Sequence, residues 1–203
     1  MNKSAKGQII FLCLFVMLAG IGIAIYTGYQ YSFKFKEPVD FYEANWNRYD
    51  VEKQRIVGEI NTRDIGVLSS AGKSGGTYAY MIPVYATDEQ GNEYVYKFVG
   101  VQVSRSDSYD MDKVFSTHEI VTATSPRYSV DGTVSLMNDD VREMFLNRLT
   151  VDYGLSYSDA NAMLAPYVVV DTPYFLLLIS TIIAGALAIA GLIGLVATAR
   201  SKG

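Results

Sequence analysis

The chain has one cysteine and one histidine in 203 residues, and each scarcity removes a class of chemistry. Cys13 lies within an uncharged apolar run, so the rest of the chain has no disulfide to close and no thiol to react. Zinc sites gather several histidine or cysteine ligands, and His118 alone does not make one. No metal or other cofactor is expected. Basic surface is scarce as well: 17 lysines and arginines face 21 acidic residues, a net charge of −4. Four of the cations (Lys3, Lys6, Arg200 and Lys202) sit in the two tails, which leaves 13 against 21 between them. That acidic middle is no surface for nucleic acid.

Charge is missing altogether from two long stretches. Ile9–Tyr26 (IIFLCLFVMLAGIGIAIY) and Tyr174–Ala199 (YFLLLISTIIAGALAIAGLIGLVATA) contain no Asp, Glu, Lys, Arg or His. A helix rises about 1.5 Å per residue, so roughly 20 apolar residues cross a bilayer core. Neither run keeps the polar face of a soluble helix. Lys3 and Lys6 would also suit a signal peptide, but the first run is long for one and no A-x-A site follows it. Tyr26, Tyr29 and Tyr31 fall where an interfacial aromatic belt would lie.

The expected organisation is a cytoplasmic tail over 1–8, a transmembrane helix over 9–31, an extracytoplasmic domain over 32–172, a second transmembrane helix over 173–199 and a cytoplasmic tail over 200–203. The cations of both tails set that orientation. The lack of intramembrane ionisable groups argues against a self-sufficient pump or transporter. In lipid, helices associate where small residues let backbones approach. Gly20, Ala24 and Gly28 make such a stripe on the first run, and Ala186, Ala190, Gly194 and Thr198 make one on the second. They are expected to pack the helices on each other or on a partner.

The middle reads as a compact α+β domain, β-rich first and helical late. A short helix is expected over Val39–Asn47, then strands in QRIVGEIN and DIGVLSS. TYAYMIPVYAT and EYVYKFVGVQVS flank the polar turn DEQGN and form a β-hairpin, with Pro83 marking an edge or a bulge. SRSDSYDMDKVFST reads as a loop with a helix over Asp110–Phe115, HEIVTATS as a strand, and DGTVSLM as a turn and a short extended piece. Asn138 caps a helix whose apolar stripe is Val141, Met144, Phe145 and Leu149. Ser158 caps a shorter helix that Pro166 ends, before YVVVDTP leads to the second apolar run.

Few motifs suggest chemistry. AGKSGGT, preceded by Gly66, approaches the phosphate-binding loop, but five residues separate Gly66 from Gly72 where the motif has four. A strand pattern follows it rather than a helix, so a turn accounts for it and no nucleotide is expected. His118 with Ser116 and Glu119 makes a poor triad, because neighbours on a strand point to opposite faces. Asp107, Asp110 and Asp112 lack the spacing of a calcium loop, and Asp139 and Asp140 suit a helix N-terminus. The strongest remaining signal is tyrosine. Sixteen occur, and Tyr78, Tyr80, Tyr85, Tyr94 and Tyr96 cluster in the hairpin, where they either fill a sheet face or form an aromatic contact surface for peptide or glycan.

The run VDFYEANW…VGEIN…TYAYMIPVYATDEQGNEYVYKFVGVQV resembles bacterial membrane proteins of undefined function, with a span at each end and a tyrosine-rich strand pair between. The resemblance covers about a third of the chain and implies architecture only. The expected role is a membrane-anchored binding or assembly module, an accessory or scaffold subunit of an envelope complex. Its partners would be the lipid bilayer and another envelope protein or a second copy. An extracytoplasmic hydrolase is the alternative and needs a deep pocket holding His118 or grouped carboxylates. A channel formed by oligomerised spans is a third reading.

Overall fold

A computed structural model describes residues 3–47, 51–52, 54–61, 77–116 and 125–200. In chain order the elements are α1 (Lys3–Ser32), a 3-10 turn (Phe33–Phe35), β1 (Pro38–Asp40), β2 (Arg55–Asn61), β3 (Thr77–Thr87), β4 (Glu93–Ser104) and α2 (Arg105–Ser116). There follow β5 (Arg127–Leu136), α3 (Asp139–Asp152), α4 (Tyr157–Met163), β6 (Leu164–Asp171) and α5 (Tyr174–Arg200). The chain divides into two compact units, one of residues 1–35 with 173–203 and one of residues 36–172.

The second unit is a mixed α+β fold on a six-stranded sheet of order β1-β2-β5-β6-β4-β3. β3 and β4 form the expected antiparallel hairpin. Its turn is closed by Asp88, whose carboxylate accepts from the backbone of Gln90 and Asn92 at 2.9 and 2.8 Å, and Gly91 takes a φ of 86° that a side chain would resist. Pro83 does lie on an edge strand, where the missing N–H costs no ladder bond between neighbours.

Alternation along the strands separates two apolar layers. Tyr80, Ile82, Val84, Val99, Val101 and Val103 point to one face, which Met111 and Val114 of α2 cover together with Phe41 and Trp46. Ala79, Met81 and Phe98 point to the other, against Val141, Phe145, Leu146 and Leu149 of α3 and Ala160 of α4. Helices therefore cover both faces. Asn138 caps α3 as expected, accepting from the Asp140 N–H at 2.8 Å, and Gly154, at a φ of 64°, follows its end.

Several expectations need correction. Val39–Asn47 is not a helix: residues 38–40 pair with β2, and the apolar spacing that suggested a helix belongs to a turn with Phe41, Ala44 and Trp46 buried. Asp110–Phe115 belongs to the longer α2, which starts where the Ser104 hydroxyl accepts from the Asp107 N–H at 3.3 Å. DGTV is no turn. Asp131 and Gly132 run straight through β5, and a Cβ at Gly132 would collide with the Val170 carbonyl of β6. The cap of α4 is Ser156, which accepts from the Asp159 N–H at 3.1 Å, and not Ser158.

The largest correction is β6, read as a lead into the apolar run. It lies inside the sheet, antiparallel to β5 and parallel to β4. Pro166 is tolerated because the β4–β6 register shifts there, and its carbonyl still accepts from the Met137 N–H at 2.9 Å. DIGVLSS, AGKSGG, HEIVTAT and His118 lie outside the described residues.

The first unit is a pair of apolar helices, α1 and α5. Cys13 lies opposite Gly191 and Gly194, Gly20 opposite Ala184 and Ala188, and Thr27 opposite Thr181, so the two run antiparallel.

Candidate functional site

The hairpin tyrosines part company in the fold. Tyr80 is wholly buried, and its hydroxyl donates to the Ser108 carbonyl at 3.2 Å and to Asp112 Oδ1 at 2.8 Å. Burial, reinforced by the neighbouring Asp112 carboxylate, pushes its pKa well above the usual tyrosine value. Tyr80 is thus a core residue and offers nothing to the surface. Tyr78 is half-buried against the same core. Tyr85, Tyr94 and Tyr96 do come together, lining an open groove of about 560 Å³ with Tyr42, Asn45 and Asn47. Tyr85 is 37% exposed and Tyr94 50% exposed.

Both walls of the groove are fixed by local chemistry. On the sheet wall Val84 pairs with Lys97 while Tyr85 pairs with Val95, so Tyr96 is an extra residue in β4. Such a β-bulge bends the strand and re-aims its side chains, here into the groove. The facing wall is the turn after β1. Phe41 and Trp46 are both fully buried, and the Trp46 indole N–H donates to the Phe41 carbonyl at 3.1 Å. Asp40 Oδ1 accepts from the Tyr42 N–H at 2.8 Å. With Phe41, Ala44 and Trp46 anchored inward, Glu43, Asn45 and Asn47 are left exposed. The Asn47 amide then donates to the Tyr96 hydroxyl and ties the two walls together.

Glu43 is the only charged side chain lining the groove among the described residues. Lys97 is turned elsewhere, donating to the Ala162 carbonyl at 2.5 Å, and its partial burial lowers its pKa. The groove therefore combines aromatic faces, phenol and amide hydrogen-bonding groups and one carboxylate. Sequence reasoning found three of its tyrosines and missed the opposite wall. The signal was present in Phe41-x-x-Ala44-x-Trp46, whose apolar anchors leave the intervening polar residues facing outward.

The acidic candidates are occupied by structural partners. Asp107 accepts from the Ser104 hydroxyl at 2.6 Å, Asp110 pairs with Lys113 at 2.6 Å, and Asp112 holds Tyr80. Asp139 and Asp140 lie exposed in the first turn of α3. No group of acidic, histidine or cysteine side chains able to hold a metal occurs among the described residues. A second polar cluster joins β2, β5 and β6: Arg55 grips Asp131 through two bonds of 2.7 and 2.5 Å, while Asp171 accepts from the Tyr128 hydroxyl and from the Asp131 N–H. Burial raises the pKa of Asp171, against the opposing effect of those hydrogen bonds, and burial likewise raises that of Tyr128. With its oxygens so engaged, Asp171 serves as a lock between strands.

In the helix pair, Gly20 and Gly28 lie on the side of α1 that meets α5, and Ala24 between them is half-buried. A Cβ on Gly20 would sit 2.7 Å from the Ala184 carbonyl oxygen. Of the α5 stripe, Gly194 lies against Cys13 of α1. Ala186 and Ala190 are exposed, and the residues meeting α1 are Thr181, Ala184, Ala188, Gly191 and Gly194. The steps along that contact are three, four, three and three, so a stripe counted strictly by four coincides with it at Gly194 and leaves it at Ala186 and Ala190. The Thr27 and Thr181 hydroxyls meet at 2.8 Å across the pair.

Neither the protein-family models nor the curated proteins compared with this chain gave a match.

Proposed function

We propose that the protein is a two-span membrane protein of the cell envelope whose middle domain is a binding or assembly module, an accessory or scaffold subunit displaying the tyrosine groove outside the cytoplasm. The observation that carries the anchor is the surface of the helix pair. α1 and α5 bury only 6% and 11% of their most apolar stretches, whereas a core helix of a soluble protein buries most of its length. Phe11, Leu12, Phe15, Ile25, Phe175, Ile182 and Ile189 are all more than half exposed. Water would penalise that surface at about 25 cal/mol per Å², and lipid would not.

The ends of the pair support an orientation. Antiparallel packing sets Lys6 and Arg200 at one end, and Tyr29, Tyr31, Phe35, Tyr174 and Phe175 at the other. Cations favour the cytoplasmic side and aromatics an interface, so residues 36–172 would lie outside with both tails inside. The groove is then the contact surface, because it sets the exposed Tyr94 beside the exposed Glu43, Asn45 and Asn47.

The test uses cells expressing single-cysteine variants made on a Cys13→Ala background. With a membrane-impermeant maleimide, Gln90→Cys in the hairpin turn should label in intact cells and Lys202→Cys only after permeabilisation. The reverse pattern overturns the orientation, and extraction of the protein by alkaline carbonate overturns the anchor. A photo-crosslinker at Tyr94 should capture a partner or a second copy. Recovery of nothing in cells and a monomeric full-length protein would together sink the assembly role.

A further inference from the structure

We draw no further inference here: the strongest candidate, the carboxylate cluster of Asp107, Asp131 and Asp171 between α2, β5 and β6, belongs to the strand lock already described, its oxygens being held by the Ser104 and Tyr128 hydroxyls, the Asp131 N–H and Arg55.

Discussion

Gly20 of α1 lies against the Ala184 carbonyl of α5 so closely that a single added carbon would stand 2.7 Å from the oxygen. The same holds at Gly191, where a Cβ would come within 2.8 Å of the Cys13 carbonyl oxygen. Gly22, two positions from Gly20, has open space around it. Gly20→Leu should therefore force the helices apart and destabilise the pair by about 1–3 kcal/mol, as overpacking does elsewhere. Gly22→Leu should be neutral in lipid. Thermal unfolding of both variants in nanodiscs separates a packing role from mere helix composition: equal losses would refute the contact.

The paired hydroxyls of Thr27 and Thr181 lie farther along the same contact. Each also donates to the carbonyl four residues earlier, Ile23 at 2.9 Å and Leu177 at 2.8 Å, so two protons serve three short contacts. A double-mutant cycle with Thr27→Val and Thr181→Val should give a coupling of about 0.6 kcal/mol and no more than about 1.7, the span for such bonds between membrane helices. A coupling of zero would mean that each hydroxyl is content with its own carbonyl.

What the sequence revealed depended on range. Apolar length, the Asn138 cap and the turn at DEQGN are local signals, and each appears in the structure where it was read. β6 was hidden because its partners are remote: Val168, Val169 and Val170 pair with residues of β4 and β5 that lie some thirty to seventy positions earlier, and Pro166 argues locally against a strand. Gly132 misled in the same way, since its cause is the Val170 backbone and not a turn. At the groove, Tyr85, Tyr94 and Tyr96 stood out by composition, but Asn45 and Asn47 acquire meaning only once Phe41 and Trp46 enter the core. Alternation would have set Tyr80 apart from Tyr85. The bulge at Tyr96, which sequence does not announce, is what turns Tyr96 from the face of Phe98 to the face of Phe41 and Trp46.

Tyr80 is assigned to the core, and that assignment is testable apart from any ligand. Tyr80→Phe keeps the ring and removes the hydroxyl shared with Ser108 and Asp112. A buried hydroxyl bonded to a carboxylate contributes about 1.5–3 kcal/mol, so chemical denaturation should show a loss in that range. Capture by the photo-crosslinker at Tyr94 should be unchanged. A stable variant with altered binding would return Tyr80 to the surface.

Asp171 links stability to pH. Burial raises its folded-state pKa above the ordinary carboxylate value, so the folded protein holds this proton over a window in which the unfolded chain has lost it. Stability from this group is therefore full below the unfolded pKa of about 4 and declines as pH rises through the folded value. The charges facing it are Asp131 on β5 and Asp107 on α2, both raising the pKa further, with the Tyr128 hydroxyl and the Asp131 N–H opposing them. Asp171→Asn removes the ionisation but keeps an oxygen to accept from the Asp131 N–H. Denaturation midpoints of the parent should carry a component that falls as pH rises above about 4, and the variant should lack it. If the two profiles run parallel, the carboxylate is not held in the buried lock described between β5 and β6.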